Sequence, residues 1–152
     1  MNELAELLIE KGITISSVES FTVGNFATML GSIPGISKVY KGSLITYQSE
    51  TKERLLSIDH ALIEKYGVVS KEIATLMCVN GKSILDTDLC VSFTGNAGPD
   101  AMEGKPVGEV YIGIAYQDVV VYKLNLTGSR QEIASKAVEF AKKKIIEKIL
   151  KK

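Results

Sequence analysis

Apolar and polar positions along the chain change period several times, and each change marks an element. Leu4, Leu7 and Leu8 recur at helical spacing within residues 2–11, with Asn2 placed to cap and Gly12 to stop a helix. Ile13 to Val18 then reads as a short strand. Phe21 to Leu30 returns to a helical period with Phe26, Ala27 and Leu30 on one face. Gly31 and the turn Ile33-Pro34-Gly35-Ile36 end it. Val39 to Tyr47 predicts a second strand with Gly42 at a bulge or a close approach. Ser49, Asp59 and Ser70 are placed to cap three helices, running to Leu56, to Lys65 and to Leu85.

Leu89-Cys90-Val91-Ser92-Phe93 is an almost unbroken apolar run between Asp88 and Gly95, the signature of a central strand buried on both faces. A loop rich in glycine and proline spans Asn96 to Pro106. Val107–Tyr116 and Val119–Leu126 flank Gln117-Asp118 as a hairpin. Ser129-Arg130-Gln131-Glu132 has capping-box spacing and opens a last helix, in which Ile133, Ala137, Ala141, Ile145 and Ile149 recur every fourth position. The alternation predicts an α/β fold: a three-layer α/β/α sandwich with a mixed, mostly parallel sheet that includes one antiparallel hairpin, all within a single domain of residues 1–152.

Bulk properties narrow the functional classes. The chain carries 18 basic and 18 acidic residues for a net charge of zero, which argues against a nucleic-acid partner. The lysines at 142, 143, 144, 151 and 152 fall near the end of the last helix, where its dipole favours cations. Glu3, Glu6 and Glu10 do not suit a signal peptide, and no apolar run reaches membrane-spanning length, so a cytoplasmic protein without a membrane partner is expected. Cys78 and Cys90 lie in apolar segments without metal-ligand spacing and read as buried thiols in a reducing compartment. The triplet Asn125-Leu126-Thr127 then carries no glycan. With two unpaired cysteines and one histidine, His60, neither a zinc site nor another cofactor is expected.

Four clusters could carry chemistry. Ser20 lies between a strand and a helix, where it is either a helix cap, a role Thr22 could also take, or a nucleophile whose oxyanion meets the N–H of Phe21 or Thr22. Lys52, in the first turn of a helix capped at Ser49, is either a solvated partner of Glu50 or Glu53 or an amine of lowered pKa able to act as base. Thr94-Gly95-Asn96-Ala97-Gly98-Pro99 follows the most buried strand and is either a tight turn or an anion cradle with the Thr94 hydroxyl. Arg130, at a helix N-terminus, is a surface arginine or a clamp for a phosphate or carboxylate.

In their order these residues resemble the CinA C-terminal domain family of nicotinamide-nucleotide amidohydrolases, over roughly residues 3–148. The family's ESCTGG corresponds to Glu19–Gly24, and its G-x-x-x-TYSNxxK-x-x-LL stretch to Gly42–Tyr47, Lys52 and Leu55-Leu56. Its G-x-V-S corresponds to Gly67–Ser70, TGxAGP to Thr94–Pro99, KPVGxVYI to Lys105–Ile112, and the final GxR to Gly128 and Arg130. The resemblance implies metal-free deamidation of nicotinamide mononucleotide to nicotinate mononucleotide and ammonia. Ser20 would be the nucleophile, Lys52 the base and Tyr47 a hydrogen-bonding partner. Phe21, Thr22 and Gly24 of the first motif, with Thr94, Gly95, Asn96, Ala97, Gly98 and Arg130, would hold a small-molecule nucleotide. Homo-oligomerisation stays open.

The chain departs from the pattern at Phe21 for cysteine, Val23 for glycine, Gln48-Ser49 for serine-asparagine and Asn96 for an apolar residue. Phe21 and Val23 are expected to narrow the pocket. An alternative expectation follows: a catalytically impaired relative that binds a nucleotide without hydrolysing it.

Overall fold

Strands whose side chains are apolar on both faces need helices on both faces, and the chain supplies them. The computed structural model of the protein describes residues 1–151; Lys152, the last of the terminal lysines, lies outside them. Helix α1 (Asn2–Lys11) leads into β1 (Ile15–Glu19), α2 (Asn25–Gly31), a 3₁₀ turn at Ile36–Lys38 and β2 (Tyr40–Ile45). Three helices follow, α3 (Ser49–Leu56), α4 (His60–Tyr66) and α5 (Lys71–Ile84). The chain closes with β3 (Leu89–Gly95), the hairpin β4 (Glu109–Tyr116) and β5 (Asp118–Asn125), and α6 (Arg130–Leu150).

The strands form one sheet in the order β2-β1-β3-β4-β5. Strand β1 pairs in parallel with both β2 and β3, while β4 runs antiparallel between β3 and β5. Only β4 is therefore reversed. The register between β1 and β2 slips at Lys41-Gly42, where the bulge was expected. In β3 the alternation is strict. Leu89, Val91 and Phe93 enter one core with Leu4, Leu8, Phe26, Leu30 and the apolar face of α6. Cys90 faces a second core with Leu56, Ile63, Ile73 and Met77. Helices α1, α2 and α6 thus cover one face, and α3, α4 and α5 the other. Each fully buried Leu, Ile or Met contributes about 1.5–3 kcal/mol against exposure.

Asp59 and Ser70 cap their helices as expected, accepting from the N–H groups of Ala61 and Ile73. The box at Ser129 and Glu132 is complete. Both cysteines are buried, and loss of solvation pushes their thiols up to about 11 for Cys78 and about 12 for Cys90. Helix α5 lies so close to β1 that a Cβ at Gly81 would sit 2.3 Å from Val18 Cγ2. Hydrophobic period alone could not show that contact.

Two expectations fail around Ser20. The second helix starts at Asn25 rather than Phe21, because Val23 (φ 45°) and Gly24 (φ 83°) both adopt left-handed backbone and break the helical path. Neither Ser20 nor Thr22 caps it. That role falls to Glu19, whose carboxylate accepts from the N–H groups of Phe26 (3.0 Å) and Ala27 (3.1 Å). Ser49 does not cap α3 either: Gln48 holds the N-cap position, and no side-chain cap bond forms.

Candidate active site

Strand β1 ends at Glu19, and pleating sends successive side chains to opposite faces of the sheet. Glu19 points toward α2, so Ser20 turns toward α3, where Lys52 is buried. The Ser20 amide donates to Phe93 O (3.0 Å), tying the nucleophile candidate to the central strand. Lys52 has no solvent exposure, and its Nζ lies 3.1 Å from Ser20 Oγ. The amine also donates to the carbonyls of Thr46 (2.6 Å) and Tyr47 (3.3 Å).

Burial is the largest influence on this lysine and lowers its pKa from 10.5 to about 8, opposed by the charge of Glu103. The solvated alternative is excluded. Glu50 pairs with Arg54 and Glu53 with His60, and neither reaches Lys52. When the amine is neutral, two of its hydrogens face carbonyls and its lone pair is free to accept from Ser20 Oγ. No partner engages the backbone N–H groups of Phe21 and Thr22 among the described residues.

Ser20 opens into a cavity of about 730 Å³, large enough for a mononucleotide. Its lining joins Ser20 and Phe21 to Tyr47, the Thr94–Met102 loop and Arg130. Of the expected binding residues, Gly95, Asn96, Ala97 and Gly98 lie on the cavity wall. Thr22 and Gly24 do not. The Thr22 hydroxyl is buried and donates to Glu19 (2.8 Å), and Gly24 packs near Ile45. Thr94 is present in the wall, but its hydroxyl is spent on Val68 O (2.6 Å), so it secures a neighbouring loop and offers no anion donor. Asn96 Oδ1 accepts from Gly98 N (3.2 Å), and Asn96 Nδ2 donates to Lys105 O (3.3 Å), so this side chain shapes the loop from within.

Tyr47 divides its roles. Its carbonyl faces Lys52 and lies 3.4 Å from Ser20 Oγ, while its half-exposed hydroxyl accepts from Arg130 Nη2. The hydroxyl is therefore held at the Arg130 side of the cavity, and the Tyr47 group beside the serine is its carbonyl. Arg130 also donates through Nη1 to Gly98 O, spanning the cavity rim between α6 and the β3–β4 loop.

Val23 is 59% exposed and lines no part of this cavity, so the expected narrowing there does not occur. Phe21 does line it, although its side chain is 5% exposed and packs into the core shared with Phe26 and Phe93. Glu103 escaped the reading of the sequence. Its carboxylate accepts from Val68 N (2.9 Å) and Val69 N (3.3 Å), fixing the segment that Thr94 also holds. No group of three or more His, Cys, Asp or Glu side chains is gathered for a metal ion among the described residues. No helix among them is long and apolar enough to cross a membrane.

A family model described as the CinA C-terminal domain matches residues 1–149. A provisionally named competence-damage inducible protein of Levilactobacillus brevis is 42% identical over 137 residues, 89% of this chain and 33% of the relative. A similarly named protein of Bacillus thuringiensis matches at the same identity and coverage. The chain thus spans about a third of the length of these curated relatives. Among solved structures, a CinA superfamily protein from Klebsiella pneumoniae superposes with TM-score 0.93 at 25% identity, covering 96% of this chain and 92% of that one. A competence/damage inducible protein from Agrobacterium tumefaciens gives TM-score 0.89 at 28% identity, covering 95% and 93%. Motif order, fold and relatives agree, and the chain belongs to the CinA C-terminal domain family.

Proposed function

We propose that the protein is an amidohydrolase that deamidates nicotinamide mononucleotide to nicotinate mononucleotide and ammonia, using Ser20 as nucleophile and Lys52 as base. The observation that carries this reading is a fully buried amine of lowered pKa held 3.1 Å from a serine hydroxyl at a nucleotide-sized cavity. Neutral Lys52 takes the Ser20 proton as Oγ attacks the carboxamide carbon. The oxyanion is met by the N–H groups of Phe21 and Thr22. The Lys52 ammonium then returns the proton to the departing ammonia, leaving an acyl-enzyme on Ser20. Water, deprotonated by the same amine, releases the acid. Arg130 holds the phosphate of the substrate at the cavity rim. Apart from water, the route uses only groups of the chain itself.

With a pKa near 8, about a tenth of Lys52 is neutral at pH 7, enough to turn over without a second base. The alternative, a nucleotide-binding relative without activity, needs a filled pocket beside Ser20. The open cavity and the outward-facing Val23 favour the enzyme. A coupled ammonia assay with nicotinamide mononucleotide decides between them. Ammonia release by the wild type and its loss in Ser20→Ala is expected. Nucleotide-protected thermal stability with no ammonia from the wild type would overturn the enzymatic reading.

A further inference from the structure

Glu19 is a buried ionisable group that the chemistry above leaves unused. Its side chain is fully buried, and no cation lies within ion-pair distance of it among the described residues. A carboxylate in that position must be held by hydrogen-bond donors. Four are present: Ser17 Oγ (3.2 Å) and Ala27 N (3.1 Å) on Oε2, Thr22 Oγ1 (2.8 Å) and Phe26 N (3.0 Å) on Oε1. The Ser17 hydroxyl in turn meets Ser43, and Ser43 meets Tyr40, so the network reaches across β1 into the edge strand.

The donors lie on both sides of Ser20. Ser17 precedes it in β1, Thr22 lies within the turn that follows, and Phe26 and Ala27 open α2. The carboxylate therefore pins the entry, the middle and the exit of one tight turn. Within that turn Val23 holds φ 45°, a conformation that a β-branched residue keeps only when its surroundings impose it. The N–H groups of Phe21 and Thr22 remain without acceptors at the same place. A turn free to relax would wind toward helix and draw those two groups away from a developing oxyanion.

We propose that Glu19 is a positioning residue. It clamps the turn after Ser20 so that the two unpaired amides stay set for the oxyanion, while strand alternation aims Ser20 at Lys52. The inference rests on the serine–lysine reading above and acts through geometry alone, with no proton passing through Glu19.

The test uses a fluorophosphonate, which needs the nucleophile and the oxyanion site but not the nucleotide. Ser20 Oγ bonds to phosphorus, fluoride leaves, and the hydroxyl proton passes to Lys52. Labelling of wild type and Glu19→Gln is followed by intact mass across pH 6–9. The glutamine amide puts a donor where the carboxylate accepted. The expected result is a rate about 10- to 100-fold lower, still reaching one label per chain, with the pH midpoint kept near 8. An unchanged rate would overturn the proposal. So would a reduced labelled fraction that reacts at the wild-type rate, since that marks a merely structural loss.

If Glu19→Gln does not fold, Thr22→Val removes one donor from Oε1 and is read in the same way, with a fall of about 3- to 10-fold. Wild type that labels at Ser20 yet frees no ammonia from nicotinamide mononucleotide would remove the substrate, and the labelling rates would still uphold or overturn the role of Glu19. Wild type that does not label would remove the nucleophile and this inference together.

Discussion

Lys52 carries opposite consequences for activity and for stability, and Lys52→Met separates them. In the unfolded chain the amine has its ordinary pKa of 10.5; in the fold it falls to about 8. A shift of that size means that holding the charged form inside costs about 3 kcal/mol. Between pH 8 and 10.5 the unfolded chain binds more protons than the folded one, so stability rises with pH across that window. Below about 8 both states are protonated and the full penalty applies. From pH 7 to pH 10, wild type should therefore gain about 2.5 kcal/mol relative to Lys52→Met, in which this titration is absent.

At pH 7 the methionine variant sheds the penalty but takes the amine donor from the carbonyls of Thr46 and Tyr47, at about 1 kcal/mol each. It should end about 1 kcal/mol more stable than wild type while losing ammonia release by several orders of magnitude. Urea unfolding of both proteins at half-unit steps from pH 7 to pH 10 measures the difference, and other groups that titrate cancel between them. Parallel stability curves would refute the buried-amine argument. So would a variant that is less stable than wild type at pH 7 by more than about 2 kcal/mol.

Other outcomes follow from the same geometry. Ammonia release should rise with pH to a plateau with a midpoint near 8, set by Lys52; a midpoint at the ordinary lysine value would place the amine in water. Val23→Gly removes a strained, exposed side chain from φ 45° and should stabilise the fold by about 1 kcal/mol, a rise of about 2–4 °C in thermal unfolding. A lower melting temperature would show that the strain is not there. Gly81→Ala forces a methyl to within 2.3 Å of Val18 and should cost about 1–3 kcal/mol, read from the urea midpoint.

The architecture was legible because its signals are local. Caps at Asp59, Ser70 and Ser129, the unbroken apolar run of β3 and the four-residue period of α6 each announce themselves within a few positions. What escaped depends on contacts between distant segments. A glutamate closing a strand looks like a surface charge, and only the fold shows four donors converging on Glu19. Glu103, fixed on Val68 and Val69, hides for the same reason. Lys52 was legible as a candidate base from its place in a first turn, yet the dominant cause of its lowered pKa is burial under the Thr46 and Tyr47 carbonyls, which no spacing reveals. Thr94 failed as an anion donor because its hydroxyl faces Val68.

The base is carried on a short helix whose side chains are mostly exposed or half-buried. Of the eight residues of α3 only Lys52 and Leu56 are buried; Lys52 bonds to Ser20, and Asn80 donates to the Leu56 carbonyl from α5. An ammonium seeking water pushes outward on that helix, against the hydrogen bonds of Lys52 and Asn80 and the packing of Leu56. Acidification therefore loads a spring beneath α3, and a helix that yields to it carries Lys52 away from the serine and Leu56 out of the second core together.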